Sequence, residues 1–483
     1  MNEVGVVEEL IGLLDKFTTR WGSEFGYRHI LIVAFPLILS TGSWSIQQFV
    51  DRMFLSWHSE EALAAAMPAG ILNFAFICLF IGTVSYAGTF VSQYVGAKED
   101  HKVGKVLWHS FYLSLFGAMI LLLVSPFSSE LFRIVGHSSK LQIMESTYFK
   151  ILCFGGLGPI LSSAFAGFFT GQGRNWPVMW VNIFTTTINL ILDYLLIFGI
   201  GIFPEMGIAG AALATIIAGF SSLIMYLILI FRPHNETRFK VWSSRSWDTS
   251  FMRRFLKYGL PSGGHFFLEI MGFTAFILIL GRIGQMELAA TNIAININSL
   301  AFMPMFGLGI AVSMMVGQNI GGGKPESAQY AANSGVQLGM VYMIFCTFMY
   351  VGIPQIFVAP FAASVETYEM AIILLRFVAV YAVFDTLSIL YSSAIKGAGD
   401  THFVMRVTTA LSIFVLIIPT YIAVEYFDAN LYLPWTFCAL FIVAMGLTFL
   451  GRFMGGKWKK MSVIETPGFL PSQHPANPIA PEV

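Results

Sequence analysis

The stretch GQGRNWPVM, Gly171–Met179, returns as GAGDTHFVM at Gly397–Met405, with Gly, Gly, Val and Met at matching places. Working outward, an offset of 225 residues lays Phe35-Pro36 on Leu260-Pro261 and Leu63-Ala64-Ala65 on Leu288-Ala289-Ala290; it also pairs Gly82 with Gly307, Gln93 with Gln318 and Gly96 with Gly321. Chance apolar similarity does not hold its register through glycines, a proline and a glutamine, so the chain reads as an internal duplication. Apolar stretches long enough to cross a bilayer as helices, about 20 residues, run near 28–50, 64–95, 103–127, 146–170, 176–199 and 207–231. Six more follow near 255–281, 287–318, 327–353, 369–395, 403–424 and 430–452. The expected fold is an all-α polytopic membrane protein of twelve transmembrane helices in two six-helix repeats. Because six is even, both repeats face the same way, about an axis along the membrane normal.

Composition agrees: 56% of residues are hydrophobic and 11% charged, against about a quarter charged in soluble domains. The formal net charge is zero, which argues for no nucleic-acid partner and leaves the lipid bilayer as the surroundings. The basic residues are placed unevenly. If both termini are cytoplasmic, only Arg52, Arg133, Lys140, Lys150, Arg282 and Arg376 of the 27 fall in outer loops or spans, as the positive-inside rule requires of the plasma (inner) membrane. Cys78, Cys153, Cys346 and Cys438 sit inside apolar runs with neither disulfide nor metal-ligand spacing. No cofactor is expected.

The organisation expected is an amphipathic cytoplasmic segment at 1–27, with Val7, Leu10, Ile11, Leu14 and Phe17 at helical spacing, and a first lobe at 28–231. A basic cytoplasmic linker at 232–254, a second lobe at 255–460 and a disordered, proline-rich tail at 461–483 complete it. The first residues lack the basic start, apolar run and cleavage site of a signal peptide. There is no GxxxxGK[ST] loop and no room for a soluble nucleotide domain, which excludes an ATP-driven pump.

NLILDYLLIF, Asn189–Phe198, sets an aspartate in the run Trp176–Phe203, which holds no other ionisable side chain. A carboxylate inside a membrane span costs about 2.5–3.5 kcal/mol on insertion scales and by default marks a functional site. Asp51, Asp193, Glu269 and Asp385 are the four such residues, two in each half. None falls on another in the repeat register, where Phe276, Pro419, Trp44 and Pro159 stand instead. The scaffold was duplicated while the acidic sites diverged, as expected if those sites serve function rather than fold. Asp51, near an outer end, is the one most open to a structural role. Asn189 and Asp193 stand i, i+4, as do Tyr381 and Asp385 and also His265 and Glu269, so each pair shares a helix face. A lone intramembrane histidine more often satisfies a neighbour, and His265 is read as a supporting residue. Two carboxylates and a phenol suit a hard cation such as sodium; alternatively each carboxylate can take a proton.

At these residues the chain resembles the multidrug and toxic compound extrusion (MATE) family, from about Arg28 to Lys460. The resemblance is carried by FVDRMFLSW around Asp51, GTFVSQYVGAKED, GQGRNWPVMWVNIFTTTINLILDYLLIFG, YGLPSGGHFFLEIMGF, LAATNIAININSLAFMPMFGLGIAVSMMVGQNIGGGK and FDTLSILYSSAIKGAGDT, in order and at matching spacing. It implies a V-shaped bundle of two lobes and a secondary antiporter, a monomer, that exports amphiphilic organic cations or drugs in exchange for Na+ or H+. It further implies a first-lobe site at Asp51, Asn189 and Asp193, with Thr215 as a less certain member. In the NorM-type branch it implies a second-lobe cation set of Glu269, Tyr381 and Asp385, a possible Na+ site. A flippase of lipid-linked oligosaccharides, from the same broad superfold, is the alternative, but it would need a cationic cavity where these intramembrane charges are mainly acidic. A membrane receptor or intramembrane enzyme would need a ligand domain or an HExxH or GxSxG constellation, and the sequence has neither.

Overall fold

The computed structural model describes residues 18–135, 138–361 and 364–465, and those residues form twelve helices long and apolar enough to cross a membrane. We number these α1 (Tyr27–His58), α2 (Glu60–Gly96), α3 (Asp100–Arg133), α4 (Ser139–Gly171), α5 (Asn175–Phe198) and α6 (Gly207–Ile230). The second set is α7 (Thr249–Leu280), α8 (Gln285–Gly321), α9 (Pro325–Gly352), α10 (Val365–Ala398), α11 (Thr401–Phe427) and α12 (Tyr432–Met454). The amphipathic segment expected over Val7–Phe17 lies outside the described residues.

Local chemistry sets the ends. Ser59 caps α2 by accepting from the Ala62 N–H at 2.9 Å, with Glu60 and Glu61 in the first turn, where carboxylates favour the helix dipole. Asp248 caps α7 in the same way through Phe251 N–H, 2.9 Å. α5 and α10 stop at Gly199 and Gly399, both with positive φ, the conformation that glycine adopts without a Cβ penalty. Three spans expected to be continuous are interrupted. α2 breaks at Tyr86, α4 at Gly156, and α11 widens into a π turn over Ser412–Ile417 just before Pro419. Proline withholds a backbone donor and crowds the preceding turn, which accounts for the last of these.

Among the described residues two large apolar cores are present beside a small cluster around Leu55, Ala62 and Ile197, and the large ones do not divide at the linker. The first gathers α2–α6 together with Phe251, Met252 and Phe255 from the start of α7. The second gathers α8–α12 together with Ile30, Ala34 and Leu37 from the start of α1. Each repeat therefore lends the first turns of its leading helix to the other lobe. The helices cross where glycine lets backbones touch. A Cβ on Gly307 would lie 2.7 Å from the backbone nitrogen of Ile38, and one on Gly82 would lie 2.8 Å from the Cα of Gly263. These crossings, α1 over α8 and α7 over α2, are repeat mates.

At the end of the bundle that carries most of the basic residues, the lobes are bridged symmetrically. Gln93 Nε2 donates to the Gly397 carbonyl at 3.0 Å, and its repeat mate Gln318 Nε2 donates to the Gly171 carbonyl at 2.9 Å. Tyr86 donates to the Lys396 carbonyl (2.7 Å) and Tyr27 to Gln337 (2.6 Å). At the far end, the ion pairs His58–Glu205, Lys140–Glu61 and Arg282–Glu425 each stay within one lobe. Among the described residues, no hydrogen bond or ion pair joins the lobes there. The molecule is bridged at its basic face and, among the described residues, unbridged at the opposite one.

The tail expected to be disordered from 461 is ordered for its first five residues, where Val463 and Ile464 are buried against the first core. The proline-rich composition that motivated the expectation begins only at Pro467, outside the described residues.

Candidate functional site

α1 packs along α5, and this contact brings Asp51 and Asp193 together across 142 residues of sequence. The pair sits toward the far ends of both helices rather than at mid-span, since α1 ends at His58 and α5 at Phe198. Asp193 is fully buried, and its carboxyl meets the Asp51 carboxyl; among the described residues no other group hydrogen-bonds to either Asp193 oxygen or to Asp51 Oδ1. Asn189, one turn earlier on α5, is also fully buried with both amide atoms unsatisfied. Arg52 acts electrostatically on Asp51, while no ion pair involves either aspartate among the described residues. An unmet buried polar group costs about 1–3 kcal/mol.

Thr215 lies on α6, which packs against α5. Half-buried, it spends its hydroxyl on the Ala211 carbonyl of its own helix at 3.0 Å. Tyr148, which sequence reasoning missed, lies on α4 within electrostatic reach of both Asp51 and Asp193. A single tyrosine in a span carries no sequence signal of its own.

In the second lobe Glu269 on α7 and Asp385 on α10 lie within electrostatic reach of one another, and Tyr381 is buried one turn before Asp385. The two helices are not close-packed partners: α7 packs mainly on α2 and α11, and α10 on α8, α9 and α12. His265 Nδ1 is 3.9 Å from Glu269 Oε2, beyond hydrogen-bond distance, and its Nε2 is buried without a partner. Lys396, in the sequence only one of many charges at the basic end, stands about three turns beyond Asp385 on the same face of α10. It acts electrostatically on both Glu269 and His265.

The acidic residues share a position in the architecture. Asp51 and Glu269 lie on the two crossing helices, α1 and α7, on the unbridged side of the crossings at Ile38 and Gly263, Glu269 close to its crossing and Asp51 near the far end of α1. A change in charge there acts on the helices that join the lobes.

Comparison with known proteins places these observations among transporters. The MatE family model matches residues 36–195 and 261–422, once in each repeat. A probable multidrug resistance protein NorM from Thermotoga maritima is 26% identical over 86% of this chain and 89% of its own. A multidrug resistance protein NorM from Burkholderia vietnamiensis is 27% identical over 78% of this chain and 82% of its own. A solved outward-facing MATE transporter of the MOP superfamily superposes with a TM-score of 0.81 at 20% identity, over 90% of this chain and 96% of that one.

Proposed function

This chain belongs to the MatE family of multidrug efflux transporters, and on that premise we propose that it exchanges inward-moving Na+ or H+ for outward-moving amphiphilic, mostly cationic drugs. It is a transporter and not an enzyme. The placement proposed is the plasma membrane with both chain ends cytoplasmic, so that the bridged basic face is the inner one. The observation that carries the exchange reading is the Asp51–Asp193 pair, two carboxyls buried against each other with no basic partner for Asp193 among the described residues, one of them on a helix that crosses between the lobes.

Two carboxylates side by side repel unless something positive lies between them. An entering proton or cation relieves that repulsion and draws α1 toward α5. Because α1 crosses onto the second lobe, its movement alters the seam at the basic face. An organic cation that neutralises the same carboxylates competes with the ion, and competition supplies the difference in affinity between the two forms that coupling requires.

Sodium is assigned to Glu269, Tyr381 and Asp385, whose oxygens suit a hard cation. A second reading, in which protons drive export through the first lobe, is favoured by the contact between Asp51 and Asp193, since a pair that close shares one proton readily. Transport in proteoliposomes under a sodium gradient alone and a proton gradient alone separates them. Export under neither gradient would overturn the antiport reading.

A further inference from the structure

The chain crosses from one lobe to the other a last time after α12. Trp458 stacks on Phe453 and donates to its carbonyl at 2.8 Å, fixing the exit from α12 to the second lobe. The next residues, Met461–Glu465, lie on the first lobe. Val463 and Ile464 are buried in the first core, at 1% and 6% exposure. Val463 N–H and the Ser462 hydroxyl both donate to Gln93 Oε1, at 2.9 and 3.0 Å. The Glu465 carboxylate pairs with Arg254 and reaches Lys102 at 3.7 Å.

Gln93 is thus used twice. Its amide nitrogen holds Gly397 across the seam, and its amide oxygen holds the returning chain. The repeat mate Gln318 makes the equivalent bond to Gly171, but among the described residues no equivalent segment reaches its oxygen. The duplicated seam carries a fastening on one side only.

We propose that Met461–Glu465 is a strap that locks the basic face shut and so biases the transporter toward the form open at the far face. Gln93 can hold Gly397 and Val463 together only while the lobes touch. Opening the basic face parts Gln93 from Gly397, and because the strap is rooted at Trp458 it then has to leave the first core. Burial of Val463 and Ile464, two bonds to Gln93 and the Glu465 pairs are therefore contacts that one form has and the other lacks, which is what shifts a two-state equilibrium. The inference rests on the two-form transport cycle proposed above.

The test uses the full chain in lipid nanodiscs, with the four cysteines replaced by alanine and spin labels at Arg174→Cys and Lys324→Cys, exposed positions flanking the seam on opposite lobes. Distances are read by double electron–electron resonance. A chain stopped after Lys460 should gain a longer-distance population, raising the open-to-closed ratio at the basic face about tenfold or more. Val463→Ser and Glu465→Gln in the uncut chain should shift it in the same direction by less, and they keep the test decisive if the shortened chain does not fold. A chain stopped after Glu465 should match the uncut protein. Unchanged distances in the folded Val463→Ser and Glu465→Gln variants would overturn the strap, as would an equal shift in the chain stopped after Glu465. Ion-driven export in proteoliposomes tests the transport reading separately, since the distances report the strap without reference to any gradient.

Discussion

Replacing Asp193 by leucine should make the protein more stable and abolish its export activity. Leucine keeps the branched four-atom outline of aspartate, so the substitution removes charge and polarity while nearly preserving shape. Asp193 is fully buried, and among the described residues its oxygens meet only the Asp51 carboxyl, itself an acidic group. Relief of an unmet buried polar group is worth about 1–3 kcal/mol. For a chain of this length the unfolding entropy converts each kcal/mol to about 1 °C in Tm, so the expected rise is about 1–3 °C in detergent. Asn182→Leu supplies the contrast: it deletes a hydrogen bond to Ser40 and should lower Tm. Export is followed as dye efflux from cells carrying equal amounts of each variant. Asp193→Leu and Asp193→Asn should fall to the background of cells without the transporter. A lower Tm for Asp193→Leu, combined with normal efflux by Asp193→Asn, would show that the carboxylate holds the fold and would refute the reasoning.

The coupling ion is read from the pattern across variants. If sodium couples at the second lobe, Glu269→Gln and Asp385→Asn should each lower sodium-stimulated export in proteoliposomes at least tenfold, with Tyr381→Phe milder and the sodium dependence of the Asp51 and Asp193 variants unaltered. The opposite pattern, pH-driven export lost in Asp51→Asn and Asp193→Asn without response to sodium, assigns coupling to protons. Outside the spans, Lys105 and the Phe251 N–H hold the Asp248 carboxyl down at about 2. A depressed folded-state value means its contribution is complete above the unfolded value of about 3.9 and is lost as pH falls through 2. Wild type should therefore lose stability between about pH 4 and pH 2 by an amount that Asp248→Asn does not show in thermal unfolding across that range. For topology, Ser244→Cys should react with a membrane-impermeant thiol reagent only from the cytoplasmic side, and labelling from outside intact cells would overturn the proposed orientation.

The sequence made the spans legible because apolar length alone specifies them, and the repeat register proved to be a map of the seam. The positions that keep register, Gly82 with Gly307, Gln93 with Gln318 and Gly96 with Gly321, are where the lobes meet. What stayed hidden is relational. That Asp51 contacts Asp193 comes from α1 lying along α5, and that α7 leans on α2 and α11 rather than α10 comes from the crossing. Neither is written in any one segment. The hydroxyl of Thr215 turned inward to its own helix, an option open to any helical threonine. Tyr148 and Lys396 reach the sites from helices whose local sequence gives no reason to single them out. The order of Met461–Glu465 was masked by the prolines from Pro467 onward, because a property averaged over the whole tail does not report on its first five residues.

The seam at the basic face has an electrical consequence. A Cβ on Gly96 would lie 1.9 Å from the Gln318 carbonyl oxygen, and one on Gly321 would lie 2.0 Å from that of Gln93. Backbone meets backbone at these two points, which leaves no room between them for a water molecule. An ion exchanger works against a standing voltage and dissipates it through any continuous wet path, so its closed end has to insulate as well as shut. The two glycines give that contact beside the amides of Gln93 and Gln318, whose hydrogen bonds to backbone carbonyls are already taken up across the seam. A methyl group at either one would wedge the dielectric open, and the fault would register first as a leak current across the membrane at rest.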